Sequence, residues 1–242
     1  MIIDYFSAIA LQFKLFLSNS YFVVLLLTST TSTLLILYLY GYRYGFTGNE
    51  WLTASIVGMW ASSTSVAGII NFQKYQGVMP YLMDGSRSKF LTFTTFIFSP
   101  IIFGLTAFPL SFLLAVILRM PTELNIGSLI FGILLLFFSL LPIDLLIAGF
   151  FAMTPRALIY EPILMVPVLI ASNLFELPAK FSGITQTLSW IIPTSYPVNL
   201  ILGHGTSGMN LGIWFVQLIA WGLISYFVLQ KFISITQKEG FA

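Results

Sequence analysis

Residues 126–153 read IGSLIFGILLLFFSLLPIDLLIAGFFAM, and Asp144 is the only charge among them. A helix needs about 20 mostly apolar residues to cross a bilayer. This stretch is longer than that and apolar on every side. The rest of the chain is of the same kind. Of 242 residues, 58% are hydrophobic, ten are basic and eight acidic. Charged residues make up 7% and the mean hydropathy is +0.96. Soluble domains carry roughly 25% charged residues, so this chain has too few charges to coat a water-facing surface. Ten scattered Lys and Arg form no basic stripe for nucleic acid. The absence of cysteine excludes disulfides, thiolate metal sites and cysteine nucleophiles. A single histidine, His204, leaves no His-based metal cluster. The fold class expected is an all-α polytopic membrane protein.

Hydropathy predicts spans over about 21–40, 51–71, 90–118, 126–153, 157–175 and 211–232. The stretch from Ile184 to Leu202 is apolar as well, but Pro193 and Pro197 interrupt it, so it reads as a re-entrant or interfacial hairpin. Broken backbone is tolerated at membrane depth only where protein or water satisfies it. Basic residues set the orientation. With a cytoplasmic N-terminus, Lys14, Lys74, Arg87, Lys89, Arg156, Lys231 and Lys238 lie inside, against Arg43, Arg119 and Lys180 outside. Seven against three favours both termini inside, hence an even number of spans, six. No linker, repeat or charge block divides the chain, so residues 1–242 form one membrane domain.

Residues 3–17 lack a cleavage site and read as a helix in the inner interface. Phe6, Ile9, Ala10, Phe13 and Leu17 recur at helical spacing, with Asp4, Gln12 and Lys14 elsewhere. The alternative is an extension of the first span. That span carries a hydroxyl run from Thr28 to Thr33, read as close packing or self-bonding to the backbone, with a polar path as the alternative. Gly41-Tyr42-Arg43-Tyr44-Gly45 fits a small-residue spacing but sits at the end of the span. Tyr38, Tyr40, Tyr42, Tyr44 and Trp51 are expected to form an outer aromatic belt.

Catalytic motifs are missing. No Gly-Lys pair occurs, so there is no phosphate-binding loop of the P-loop type. No HExxH, paired-Asp or G-x-S-x-G signature occurs either. The string Gly203-His204-Gly205-Thr206-Ser207-Gly208 reads as a glycine-rich external loop. Asp144, in the inner half of the fourth span, is expensive in a bilayer unless it faces protein or water. It pairs structurally with Arg156, or it lies on a transport path with Glu161.

The inner loop between the second and third spans reads NFQKYQGVMPYLMDGSRSK over residues 71–89. Val78 with Leu82, and Met79 with Met83, make apolar i,i+4 pairs of a short amphipathic helix, ended by Asp84-Gly85-Ser86. Here the chain resembles the type-2 permeases of ABC transporters. In that family the loop runs Glu, a basic residue, two variable positions, Gly-Thr, then Glu and Leu, and closes on a Pro and a small-basic pair. Gln73 and Lys74 fall at its first two positions, Gly77 and Leu82 match its Gly and Leu, and Ser88-Lys89 match the closing pair. Val78, Pro80 and Ser86 replace its Thr, second Glu and Pro, which removes both acidic residues.

A second likeness follows the fifth span. The family has an extracellular hairpin opening on Leu-Pro and closing on Asn-Pro before a Tyr or His. Leu177-Pro178 opens the segment here; Pro193 and Tyr196 match its close, with Ile192 in place of Asn. The resemblance implies six spans, an interfacial N-terminal helix and a coupling helix that plugs into a separate ATPase. It implies an export permease, not an enzyme, without a cofactor of its own. ATP and Mg would sit on two partner ATPase subunits, beneath two permease copies or two related permeases. It also implies a bacterial or archaeal inner membrane, and a hydrophobic or amphipathic cargo such as a drug, peptide antibiotic or lipid-linked molecule. Polysaccharide export is the alternative within the family. An ion-coupled carrier or channel using Asp144 and Glu161, and a lipid-acting membrane enzyme, are the readings from other classes.

Overall fold

A computed structural model describes residues 2–65, 89–122, 124–152, 166–175, 182–204 and 209–238. All regular structure among them is helical. In chain order the helices are α1 (Ile2–Ser18), α2 (Ser20–Tyr44), α3 (Glu50–Thr64), α4 (Lys89–Gly104), α5 (Ala107–Ile117), α6 (Ile126–Ala152), α7 (Ser182–Ser189), α8 (Ser195–Leu202) and α9 (Leu211–Lys238). Residues 166–171 are also helical. Four stretches are long and apolar enough to cross a membrane: Ser20–Tyr44, Thr94–Ile117, Ile126–Gly149 and Leu211–Lys231. They coincide with the first, third, fourth and last predicted spans. The second is described only as far as residue 65, and the fifth only from residue 166.

α3 is the axis of the bundle. Thirteen of its residues besides Glu50 are buried, and only Val57 is partly exposed. Small and hydroxyl side chains around α3 let neighbours approach closely, and α2, α4, α5, α6 and α8 pack against it. Its hydroxyls bond along their own helix, as Ser55 to the Trp51 carbonyl (2.7 Å) and Ser63 to that of Trp60 (3.0 Å). Neighbours bond into it as well: Ser111 of α5 donates to the Trp51 carbonyl (2.7 Å), and Ser62 donates outward to the Pro100 carbonyl (2.9 Å). Small residues allow the close approach. A Cβ on Gly104 would lie 2.9 Å from the Met59 carbonyl oxygen.

α2 buries a single stripe, Phe22, Leu26, Thr30, Leu34 and Gly41, and turns Leu27, Leu35, Ile36 and Leu39 outward. Its hydroxyl run is mostly self-bonded. Thr28 donates to the Val24 carbonyl (2.7 Å), Ser29 to Leu26 (3.1 Å), Thr31 to Leu27 and Ser32 to Ser29 (3.3 Å). Such bonds hide hydroxyls from hydrocarbon without a partner helix. The Gly41–Gly45 spacing also has a local cause. Gly41 leaves room for the Phe46 ring folded back on it, and Gly45 takes φ +100 at the helix end.

α1 is no extension of α2. Asn19 is extended between them, and its side chain accepts from the Tyr21 amide (3.1 Å). The chain turns at Asn19 and α1 packs mainly on α4; Phe16 stacks on Phe22 at 4.4 Å and meets Phe103 edge-on at 5.3 Å. Ile9 and Phe13 are half-buried on the same side, while Ala10 and Leu17 of the expected apolar face are exposed.

The third span is jointed: Pro109 lacks the N–H that would bond the Leu105 carbonyl, and the chain turns at Leu105–Thr106 between α4 and α5. Two expectations are corrected. Pro197 does not interrupt the hairpin. It occupies the first turn of α8, where amide protons have no intrahelical partner in any case. Trp51 is not in an aromatic belt: it is 2% exposed and packs edge-on against Phe112 at 5.3 Å. Tyr40, Tyr42 and Tyr44 are exposed as expected, and Tyr38 is half-buried beside Phe46.

Candidate functional site

The segment between residue 175 and α9 contains the break in regular structure that most needs explanation. α7 ends at Ser189, the chain turns through residues 190–194, and α8 starts at Ser195. Pro193 cannot donate to a ladder, so nearby carbonyls need donors from elsewhere. α9 provides them. Gln217 Nε2 donates to the Trp190 carbonyl (2.6 Å), and Trp221 Nε1 to that of Ile191 (2.8 Å). Ser139 Oγ of α6 shares its one proton between the Leu135 carbonyl (2.9 Å) and the Pro193 carbonyl (3.0 Å), and accepts from Trp214 Nε1 (2.8 Å). Ser139 lies about 20 Å along α6 from Ile126, at a rise of about 1.5 Å per residue, so the turn meets α6 near its middle.

Trp214, Gln217, Trp221 and Ser225 are spaced three or four apart and share one face of α9. Ser225 continues the pattern and bonds the Pro142 carbonyl of α6. Phe215, Val216, Ile219, Leu223, Ile224 and Phe227 point outward and are exposed. Polar groups inward and apolar groups outward is the arrangement suited to lipid surroundings, where hydrogen bonds hold helices together. The far side of the turn is tied too: Ser195 Oγ donates to the Ala171 carbonyl (3.0 Å), at the end of the 166–171 helix.

α8 ends in a glycine cap. Gly203 takes φ +69, and the His204 amide bonds the Asn199 carbonyl at 2.9 Å. Asn49 Nδ2, at the start of α3, donates to the Leu202 carbonyl (2.8 Å). Here α3, α6 and α8 enclose an open cleft of about 260 Å³, with Asn49, Asn125, Ser128 and His204 among its polar lining and Leu52 and Ile201 among its apolar lining. None of its described lining residues is an acid or a second base, so His204 has no catalytic partner there. Gly203 is explained by its backbone angle.

Asp144 is 1% exposed in α6, and the Ser63 hydroxyl of α3 lies 3.4 Å from its Oδ1. The carboxylate therefore faces the central helix and not the exterior. Its expected companions Arg156 and Glu161 lie outside the described residues, as do Gln73, Lys74, Gly77, Leu82, Ser88 and Pro178. Lys89 is the first residue of α4. Pro193 lies in the clasped turn, and Tyr196 is half-buried in the first turn of α8. Among the described residues no three His, Asp or Glu side chains converge as metal ligands.

The reading of the sequence missed Ser139, Trp214, Gln217 and Trp221. The signal was present: hydrogen-bonding side chains at helical spacing in a span whose other residues are apolar. Glu50 was missed as well. It is 7% exposed and accepts from the Thr47 amide (2.6 Å), the Thr47 hydroxyl (3.0 Å) and the Gly48 amide (3.0 Å). No protein-family model, curated protein or solved structure matches the chain.

Proposed function

We propose that the chain is the membrane permease subunit of an ATP-driven exporter of the type-2 ABC class. The observation that carries the reading is the order of elements. A separate helix packed on α4 precedes α2, and residues 66–88 lie between α3 and α4. A clasped break in the 182–202 stretch precedes a final long apolar helix. These are the positions at which the sequence resembles that family. In this reading six spans and two cytoplasmic termini sit in a bacterial or archaeal inner membrane. The 71–89 segment carries the coupling helix, with Gln73, Lys74, Gly77, Leu82, Ser88 and Lys89 facing an ATPase. Two ATPase subunits, holding ATP and Mg, close beneath two permease copies or two related permeases. Their closure pushes the coupling helices and shifts the spans between inward- and outward-open states. α3, embedded on all sides, would pass that push to α2, α4, α5, α6 and α8 together. The near absence of fixed charge in the described spans favours a hydrophobic or amphipathic cargo over a highly charged one.

A second reading has one specific observation in its favour, the burial of Asp144 against Ser63. Intramembrane carboxylates are relay candidates by default, so an ion-coupled carrier using Asp144 and Glu161 is the alternative. The deciding experiment is a pull-down of the tagged chain from its own membranes in mild detergent, with the bound chains identified. A stoichiometric ATPase whose association weakens on replacing Gly77 or Leu82 supports the permease. Its absence from a folded preparation moves the carrier ahead.

A further inference from the structure

The geometry points to a releasable latch: the turn at residues 190–194 is held shut by Gln217, Trp221 and Ser139, and it opens as a unit while the surrounding helices stay folded. This inference does not depend on the ATPase reading.

Three features separate the turn from the rest of the bundle. First, directional hydrogen bonds hold the exposed start of the turn, while Ile192, Pro193 and Thr194 behind it are buried. Trp190 and Ile191 are exposed, as are Gln186, Thr187 and Leu188 before them, so water exclusion contributes little on that side. Second, α8 has anchors of its own that do not involve α9. Asn49 holds the Leu202 carbonyl, Gly132 admits Ile201 against α6, and Gly203 closes the helix end. Third, the shut turn leaves polar atoms unpaid for by any bond. Thr194 Oγ1 and Gln217 Oε1 are buried without a hydrogen-bond partner among the described residues, and so is Asn199 Nδ2 on α8. Unsatisfied buried polar atoms favour a state in which water reaches them. Bonds that close the turn and orphaned atoms that favour opening it make a two-state element with a small gap. Such elements open locally well before the global fold does.

The chain contains no cysteine, so one introduced thiol reports one position. Thr194→Cys suits the purpose, since Thr194 is fully buried and its hydroxyl has no partner to lose. Ala54→Cys, fully buried in α3, is the control. The rate of modification by N-ethylmaleimide is measured in native membranes, with the clasp intact, with Trp221→Phe, and with Trp221→Phe plus Ser139→Ala. Two of the three clasped carbonyls lose their donors in the double variant. Its Thr194→Cys thiol should react about tenfold faster or more, and the Ala54→Cys thiol at an unchanged rate. Trp221→Phe alone, where the indole is only half-buried, should give a smaller rise. An unchanged rate at Thr194→Cys in a folded variant overturns the latch. A parallel rise at both thiols overturns it too, because the whole bundle would then have loosened.

Discussion

Gly58 of α3 and Thr30 of α2 meet so closely that a Cβ on the glycine would overlap the Thr30 hydroxyl oxygen, with the Ala107 methyl at 3.0 Å on another side. Thr30 is fully buried and its hydroxyl has no hydrogen-bond partner among the described residues. The contact is therefore one of shape alone. Without a hydrophobic drive between helices in lipid, close van der Waals approach at small residues is a main source of association.

Gly58→Ala should consequently be destabilising, by about 1–3 kcal/mol as for other overpacked cores. Thermal unfolding in detergent measures this as a lower midpoint. Thr30→Ala removes the oxygen and should recover part of the loss in the double variant. Midpoints that do not couple would mean that α2 and α3 are not packed through this pair.

Asp144→Asn should keep the folded yield, because an amide oxygen can still accept from the Ser63 hydroxyl at the same place. Asp144→Ala should cost about 1–3 kcal/mol, the penalty of stranding buried polar groups. Size-exclusion profiles and melting midpoints read both. If Asp144→Asn keeps the fold but abolishes transport, the carrier reading gains over the permease.

Glu50→Gln should lower stability by about 1–2 kcal/mol. The carboxylate accepts three hydrogen bonds at the start of α3. Charge-assisted bonds of this kind are roughly twice as strong as neutral ones, and an amide nitrogen would face donors with another donor. Glu50→Asp, too short to reach all three groups, should fall between Gln and the native chain.

Asn49→Ala should loosen the end of α8 without disturbing α3. Asn49 makes no side-chain bond to the first turn of α3, whereas its Nδ2 holds the Leu202 carbonyl. The loss should be about 1 kcal/mol, one net hydrogen bond. Hydrogen exchange should speed up at the amides of Leu202 to His204 and stay slow along α3.

Much of the helical layout was legible before any coordinates. The long apolar runs at 20–44, 126–149 and 211–231 can be satisfied only as helices, since every backbone group must bond internally in hydrocarbon. The N-terminal helix was legible from the helical spacing of Ile9 and Phe13, both half-buried in α1. The turn at Pro193 was legible from the proline. The site was less so. The 71–89 motif carries the family resemblance, but its key residues lie outside those described. The spacing of Trp214, Gln217 and Trp221 marked one polar face of a span, but not what it grips, because Ser139 and Trp214 are 75 residues apart.

Composition and periodicity determined that this chain is helical, with runs apolar and long enough to cross a membrane and one carboxylate, Asp144, within such a run. Those properties follow from each segment's own need to satisfy its backbone and face lipid. Tertiary structure alone decided which helix is central. α6 is the more apolar of the two, yet the bundle wraps α3, whose Gly58 and short hydroxyl side chains permit close approach. Tertiary structure also decided that Trp51 is core and not belt, and that Trp214, Gln217 and Trp221 grip a turn. These outcomes depend on which surfaces meet across long sequence separations, and no local pattern encodes that.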